Sequence, residues 1–579
     1  MTQEISRGDS ASPPPYRELT VAAVVLGVLI GSLMTSAFVY IALKLGFSLG
    51  GSTVAAILGF GALKAFIKDS SIIENNINQT VASGVNNASA GIVFTLPALY
   101  LMGVDFNIYA VGFSALAGTF LGIVVIIPLR KQMIELERLK FPSGIAVASL
   151  LKSPGAGAQQ AKLLGLGFVI AAIAHSAAEL TGASSIPLGE FLHLPAYTPL
   201  VIGISFASVG AGMLANSSGL PFVAGGVLAW WVISPVAVSM GWLPSPEQLG
   251  MSPGAEFEAA REGLLYSHML RPLGIGVLIG GALSGVIASL PALKSAIKGL
   301  SSAAESGAVG GAEELSAKTL GFAALFAFLL LYMAAIFAGG LGLGHALLVA
   351  LVGVIWLVLA GLVVAQATGM TDISPLSGMS LIGVTLMYFV SGGNSVVAIT
   401  LGVAVCVGVG QCADMMSDLR AGHLIGAQPR RQQLAQLSVG WVGVPVALSV
   451  LALLWGDGGG FGPGTSLGAP QGDALQGILN GLSQGDAPLD KYAAGALVGL
   501  VLGLHPVSGL GVLIGLAMYL PFEVTVTYAI GCAIAMGLQR VKSKEWMSDS
   551  LVPFAAGLII GEALTSITAV LIRLATGAA

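Results

Sequence analysis

The chain has 579 residues, of which 55% are hydrophobic and 9% charged, and its mean hydropathy is +0.90. A soluble chain of this length would carry about 145 charged groups; this one has 24 Lys+Arg and 28 Asp+Glu, too few to cover a water-facing surface. With a net charge of −4 it offers no basic face to a nucleic acid, and its apolar content excludes disorder.

Residues 1–18 are polar and contain Pro13, Pro14 and Pro15, and they read as a cytoplasmic tail. The run from Leu19 to Leu43 is uncharged and long enough to cross a bilayer, so it is the first predicted membrane helix rather than a cleaved leader. Further uncharged runs follow at about 45–63, 75–104, 106–129, 163–178, 197–240, 319–371, 373–413, 432–456, 492–522 and 524–539, with a last span near 550–573. A span needs about 20 residues. Runs of twice that length must therefore break, and Asn216-Ser217-Ser218-Gly219, Gly339-Gly340-Leu341-Gly342 and Gly392-Gly393-Asn394 supply the breaks. The runs are continuous rather than alternating, which predicts helices and not a barrel. The expected fold is an all-α polytopic membrane protein with about sixteen spans, some of them broken or re-entrant.

Basic residues set the orientation. Arg7 and Arg17, Lys64 and Lys68, Arg130 to Lys140, Lys294 to Lys318, and Arg420 to Arg431 all fall on one side if the spans alternate. That side is predicted to be the cytoplasm; sixteen spans put the further cluster Arg540, Lys542 and Lys544 outside, and seventeen would put it inside. The linker 242–267 and the Gly/Asp-rich loop 457–490, with Asp457, Asp473, Asp486 and Asp490, fall opposite. The segment from Leu139 to Ala146 echoes that from Leu419 to Ala427; each follows a span and precedes a Gln pair, Gln159-Gln160 and Gln432-Gln433. The echo divides the chain into an N-terminal half, 19–300, and a C-terminal half, 301–579, of about eight spans each.

Polar groups at membrane depth need a reason. Between Glu74 and Asn87, Asn76, Thr80, Ser83 and Asn87 follow i, i+4, i+7, i+11 and share a helix face, widened by Asn75, Gln79 and Asn86. Amides carry donors and acceptors without fixed charge, so this face is expected to line a cavity and touch substrate, as are Asn394 at a helix break and Gln411. The plain alternative is interhelical hydrogen bonding. Asp414, one helix face with Gln411 and Asp418, is a candidate proton-coupling group. Glu562, in mid-span, is another; it must face a cavity, find a partner on another helix or carry a proton. His175 and Glu179, four residues apart, form a third candidate site. Cys406, Cys412 and Cys532 sit in apolar runs and read as small buried hydrophobes. The chain has no G-x-x-x-x-G-K-[ST] and no H-E-x-x-H, and its His and Cys show no zinc spacing. No enzyme activity, cofactor or bound metal is expected.

The chain resembles the oligopeptide transporter family, which includes the yellow-stripe-like metal–chelate transporters. The resemblance covers most of its length. It rests on Leu19 to Phe60 with Lys44-Leu45-Gly46-Phe47-Ser48, on Glu74 to Ser83, Leu139 to Ala146, and Arg271-Pro272-Leu273-Gly274-Ile275-Gly276, and on Ser374 to Met379, Gln411 to Pro429, and Gly557 to Leu564. It implies a helical secondary transporter that takes up short peptides, or metals held by amino-acid-derived chelators, together with protons. The compact prokaryotic form implies the inner membrane of a bacterium. The expected partners are a small-molecule or short-peptide substrate, protons and the lipid bilayer; Trp230-Trp231 and the Gly-rich faces would serve a homodimer contact or, equally, lipid or internal packing. A passive pore is the competing reading from another class.

Overall fold

The computed structural model describes the chain except residues 1–16, 47–50, 67–69, 153–155, 182–184, 196, 244–260, 289–313, 372–373, 375, 457, 485–487, 506–508, 519 and 577–579. Arg7, Phe47, Ser48, Lys68, most of the linker 242–267, Lys294, Lys298, Asp457 and Asp486 lie outside the described residues.

The principal helices are α1 (Val21–Leu45), α2 (Gly51–Phe66), α3 (Ile72–Thr95), α4 (Pro97–Met102), α5 (Ile108–Ile126), α6 (Pro142–Lys152), α7 (Ala156–Thr181), α8 (Phe206–Ala215), α9 (Leu220–Val227), α10 (Arg271–Ala288) and α11 (Ala317–Phe337). They continue with α12 (Leu343–Thr371), α13 (Leu376–Val390), α14 (Ser395–Ile425), α15 (Pro429–Val439), α16 (Gly443–Gly456), α17 (Pro470–Gln484), α18 (Leu489–Gly503), α19 (Leu510–Met518), α20 (Phe522–Val541) and α21 (Val552–Thr576). Among the described residues, 11 helical stretches are long and apolar enough to cross a membrane. The protein is an all-α, multi-pass membrane protein. One two-stranded ribbon, Ser185–Ile186 with Ile202–Gly203, is the only sheet among the described residues.

The breaks fall where the short polar and glycine segments predict. Asn216 takes φ 51° and opens a 3₁₀ turn, Asn216–Gly219. The chain climbs α20 from Gly203 beside Thr527 to Asn216, whose Nδ2 donates to Gln539. It then returns, so that Gly226 lies against Thr525. The first leg, α8, is therefore a half-length helix that starts inside the bundle at Ser205, its N-cap.

Helices pack by the close approach that small residues permit. A Cβ at Gly118 would strike the carbonyl oxygen of Ala404, which is how α5 lies along α14. In the same way Gly557 and Gly561 bring α21 against Leu164 and Phe168 of α7. The centre of the bundle is α14, with α3 beside it; both are buried on nearly every face. The helical stretch Pro429–Gly456 is about 42 Å long at 1.5 Å per residue. Arg430 and Arg431 therefore stand at one end of the molecule and the segment after Gly456 at the other.

Candidate functional site

A cavity of about 680 Å³ opens at the end that carries the segment 458–469. That volume is in the range of small-ligand sites. Its wall is assembled from distant parts of the chain: Tyr40 and Lys44 of α1, His175 and Glu179 of α7, Ser205 before α8, Glu262 and Tyr266, the glycine-rich segment from Gly458 to Gly468, Asp473 of α17, Glu523 of α20, and Ser566 of α21.

The floor is an ion pair. Lys44 Nζ lies 2.7 Å from Glu562 Oε1, and Glu562 is fully buried. Glu562 sits about 15 Å along α21 from Val552. Its other donors explain why a carboxylate is tolerated there. Ser205 Oγ donates at 3.0 Å, the backbone N–H of Ala207 donates to Oε2 at 2.8 Å, and Tyr40 Oη lies 3.4 Å from Oε1. Ala207 is in the first turn of α8, so the free amides and positive dipole end of this half-helix point at the carboxylate. Beside it, His175 Nε2 shares a 2.7 Å hydrogen bond with Ser566 Oγ. At the rim, Arg271 holds the buried Asp473 through two bonds, Nε to Oδ2 at 2.9 Å and Nη2 to Oδ1 at 2.6 Å.

The amide face of α3 lies elsewhere. None of Asn75, Asn76, Gln79, Thr80, Ser83, Asn86, Asn87, Asn394, Gln411 and Asp414 lines this cavity. The α3 groups are buried in a polar seam against α2, α14 and α15. Gln79 Nε2 donates to Asp418 Oδ1 at 2.6 Å, Thr80 accepts from Gln432 at 2.9 Å, and Ser83 meets Ser52 at 3.2 Å. Asn87 Nδ2 donates to Gln411 Oε1 and to the Val407 carbonyl, both at 3.0 Å. Asn75 Nδ2 reaches the Ala56 carbonyl at 3.4 Å, and Asn86 accepts from Ser89. Asn76 is fully buried with neither side-chain atom hydrogen-bonded in the structure. Asn394 caps α14, accepting from Val397 N and donating to the Gly339 carbonyl. Asp414 is half-buried on α14.

Sequence reasoning brought Glu562, His175 and Glu179 forward; the structure places His175 and Glu179 on the cavity wall and Glu562 behind it, fully buried and paired with the lining Lys44. It passed over Lys44, Ser205, Glu262, Glu523 and the Arg271–Asp473 pair. Lys44 ends a 25-residue apolar helix and carried a signal for that reason; Ser205 carried none, because its role comes from a helix start within a long apolar run.

Comparison with known proteins agrees with this architecture. The family model described as OPT oligopeptide transporter protein matches residues 18–573. A Haemophilus influenzae protein named for oligopeptide transport is 28% identical over 608 aligned residues, covering 91% of each chain. The metal-nicotianamine transporter YSL2 of Arabidopsis thaliana is 28% identical over 284 residues, covering 41% of this chain and 42% of its own. With a match from end to end of the helical bundle, the chain belongs to the oligopeptide transporter family, and it is a transporter, not an enzyme.

Proposed function

We propose that this transporter takes up short oligopeptides, coupled to protons, by alternating access in a bacterial inner membrane, with its N-terminus in the cytoplasm. The single observation that carries the reading is the Lys44–Glu562 pair at the floor of the cavity. A peptide presents an ammonium and a carboxylate. Glu179, Glu262 and Glu523 supply negative groups on the wall for the first, and Lys44 is the cation for the second. Lys44 is held by Glu562 while Glu562 is charged. A proton entering from the outer side and binding to Glu562 weakens that bond, and Lys44 Nζ then donates to the substrate carboxylate. Proton and peptide thus enter together. The membrane potential contributes about 2.3 kcal/mol per charge per 100 mV.

Two features support the rest. The first half of the chain supplies Lys44, His175 and Ser205, and the second supplies Asp473, Glu523 and Ser566, as a site between two moving halves requires. The basic residues Arg420, Arg430 and Arg431 lie at the end opposite the cavity mouth, which by charge bias is the cytoplasmic end.

The test is uptake into proteoliposomes. Glu562→Gln is expected to abolish uptake driven by a pH gradient while peptide exchange continues. Unchanged gradient-driven uptake in that variant removes Glu562 from the coupling step. The likeness to a metal-nicotianamine transporter favours a second reading, in which a metal–chelate fills the cavity. Competition between di- to hexapeptides and iron–chelate complexes separates the two, and accumulation against a gradient separates either from a passive pore.

A further inference from the structure

We propose that Asp418 is the anionic centre of a binding site for a monovalent cation, Na⁺ in preference to K⁺, buried in the seam between α2, α3, α14 and α15 and separate from the cavity. Asp418 is 1% exposed, and among the described residues no Lys, Arg or His forms an ion pair with it. Asp414, one turn earlier on α14, is another carboxylate. Arg420, two residues on, turns away and donates to the Ile134 carbonyl. An ionised group so placed costs several kcal/mol unless a positive charge joins it.

Hydroxyls and side-chain amides surround it. Ser52 Oγ lies 3.1 Å from Asp418 Oδ1, and Ser83 Oγ lies 3.2 Å from Ser52 Oγ. Gln79 and Gln436 are both fully buried, and each turns its amide nitrogen toward the carboxylate, at 2.6 Å from Oδ1 and 3.4 Å from Oδ2. That leaves Gln79 Oε1 and Gln436 Oε1 with no hydrogen bond, two unmet acceptors carried by the side chains that contact Asp418. Unmet buried acceptors are costly, and a cation satisfies acceptors and carboxylate at once.

Size and charge narrow the ion. Oxygens 3.1–3.2 Å apart make the edge of an octahedral shell whose metal–oxygen distance is about 2.2 Å, just under the range for Ca²⁺ and ions of its radius. Na⁺, close to Ca²⁺ in radius, needs less expansion of that shell than the larger K⁺. Asp418 is the carboxylate that Ser52, Gln79 and Gln436 contact, and Asp414 is only half-buried, so the site itself holds one negative charge, which a monovalent ion matches. A proton suits the site less well, because Ser52, Gln79 and Gln436 all donate to Asp418, an arrangement complementary to the carboxylate anion and not to the acid.

The test does not depend on transport. The purified full-length protein is heated at fixed neutral pH and constant ionic strength while NaCl replaces choline chloride. A saturable rise of the unfolding temperature is expected, with KCl requiring at least about tenfold higher concentration for half the effect. Asp418→Asn is expected to abolish the Na⁺ response. Ser83→Ala, which removes one ligand and no charge, is expected to raise the half-saturating Na⁺ concentration about tenfold, and it decides the matter if Asp418→Asn does not fold. The proposal is overturned if the native protein shows no saturable Na⁺ effect, if the variants respond as the native protein does, or if stability follows pH alone whatever the sodium concentration.

Discussion

Replacing Lys44 with Met isolates the ion pair at the cavity floor. Lys44→Met keeps the length and most of the volume of the side chain and removes its charge. Glu562 is then fully buried without a counter-ion, retaining the donors Ser205 Oγ, Ala207 N and Tyr40 Oη. Breaking a buried pair from one side costs about 3–5 kcal/mol in general. Here the cost has a ceiling, because the carboxylate can escape it by taking a proton. From an unfolded value of about 4.3, at about 1.36 kcal/mol per pH unit, that escape costs about 3.7 kcal/mol at about pH 7 and about 1 kcal/mol at about pH 5. The three remaining donors reduce the penalty further. Lys44→Met is therefore expected to destabilise the protein by about 3 kcal/mol near neutrality and by about 1 kcal/mol or less at about pH 5. The assay is SDS unfolding in mixed micelles at both pH values, followed by the fluorescence of the seven tryptophans. The same change made in Glu562→Gln should cost less than about 1 kcal/mol, since no carboxylate is then stranded. A penalty equal at both pH values, or equal in the two backgrounds, refutes the ion pair as the origin of the effect.

Two further substitutions probe the scaffold and the rim. Gly118→Leu drives a side chain into the Ala404 carbonyl and separates α5 from α14; it is expected to abolish folded, monodisperse protein in size-exclusion chromatography, while Gly112→Ala, which meets only Leu448 at 3.7 Å, leaves the yield unchanged. Arg271→Lys keeps the charge but loses the two-pronged grip on Asp473 and is expected to cost about 1–2 kcal/mol in SDS unfolding. Arg271→Ala strands the buried carboxylate and should cost about 3–5 kcal/mol.

The features legible in the sequence are those that depend on neighbours along the chain. Asn216-Ser217-Ser218-Gly219 marks a reversal because backbone that leaves the helical ladder needs residues able to take unusual dihedrals, and Asn216 does so. Glu562 stood out because a lone carboxylate in an apolar span demands a partner. That partner could not be read, since Lys44 is 518 residues away in the chain and Ser205 is 357 residues away. The amide row of α3 shows the converse limit. The spacing of Asn76, Thr80, Ser83 and Asn87 correctly places them on a helix, but periodicity assigns residues to a shared face without saying what that face meets. In the middle of the bundle every face of α3 meets another helix, so a polar stripe there marks a hydrogen-bonded seam as readily as a wall of water.

The packing also says where the proposed cycle can bend. α21 is locked to α7 by glycines that admit backbone to backbone, and α1 is locked to α3 by Gly27 and Gly31 against Val81 and Val85. Contacts of that kind resist sliding, because any shift drives a side chain into a carbonyl. α1 and α21 face each other over a much smaller surface, and Lys44–Glu562 is the ion pair that crosses it. The pair is thus a strut between two stiff bodies. A strut made of opposite charges can be released by one proton, whereas an apolar contact of the same strength cannot. That difference supplies a physical reason for placing a costly buried ion pair, rather than two leucines, beneath the cavity, and in the proposed cycle it would tie proton uptake to a boundary across which α1 and α21 meet less closely than either meets its glycine-packed neighbour.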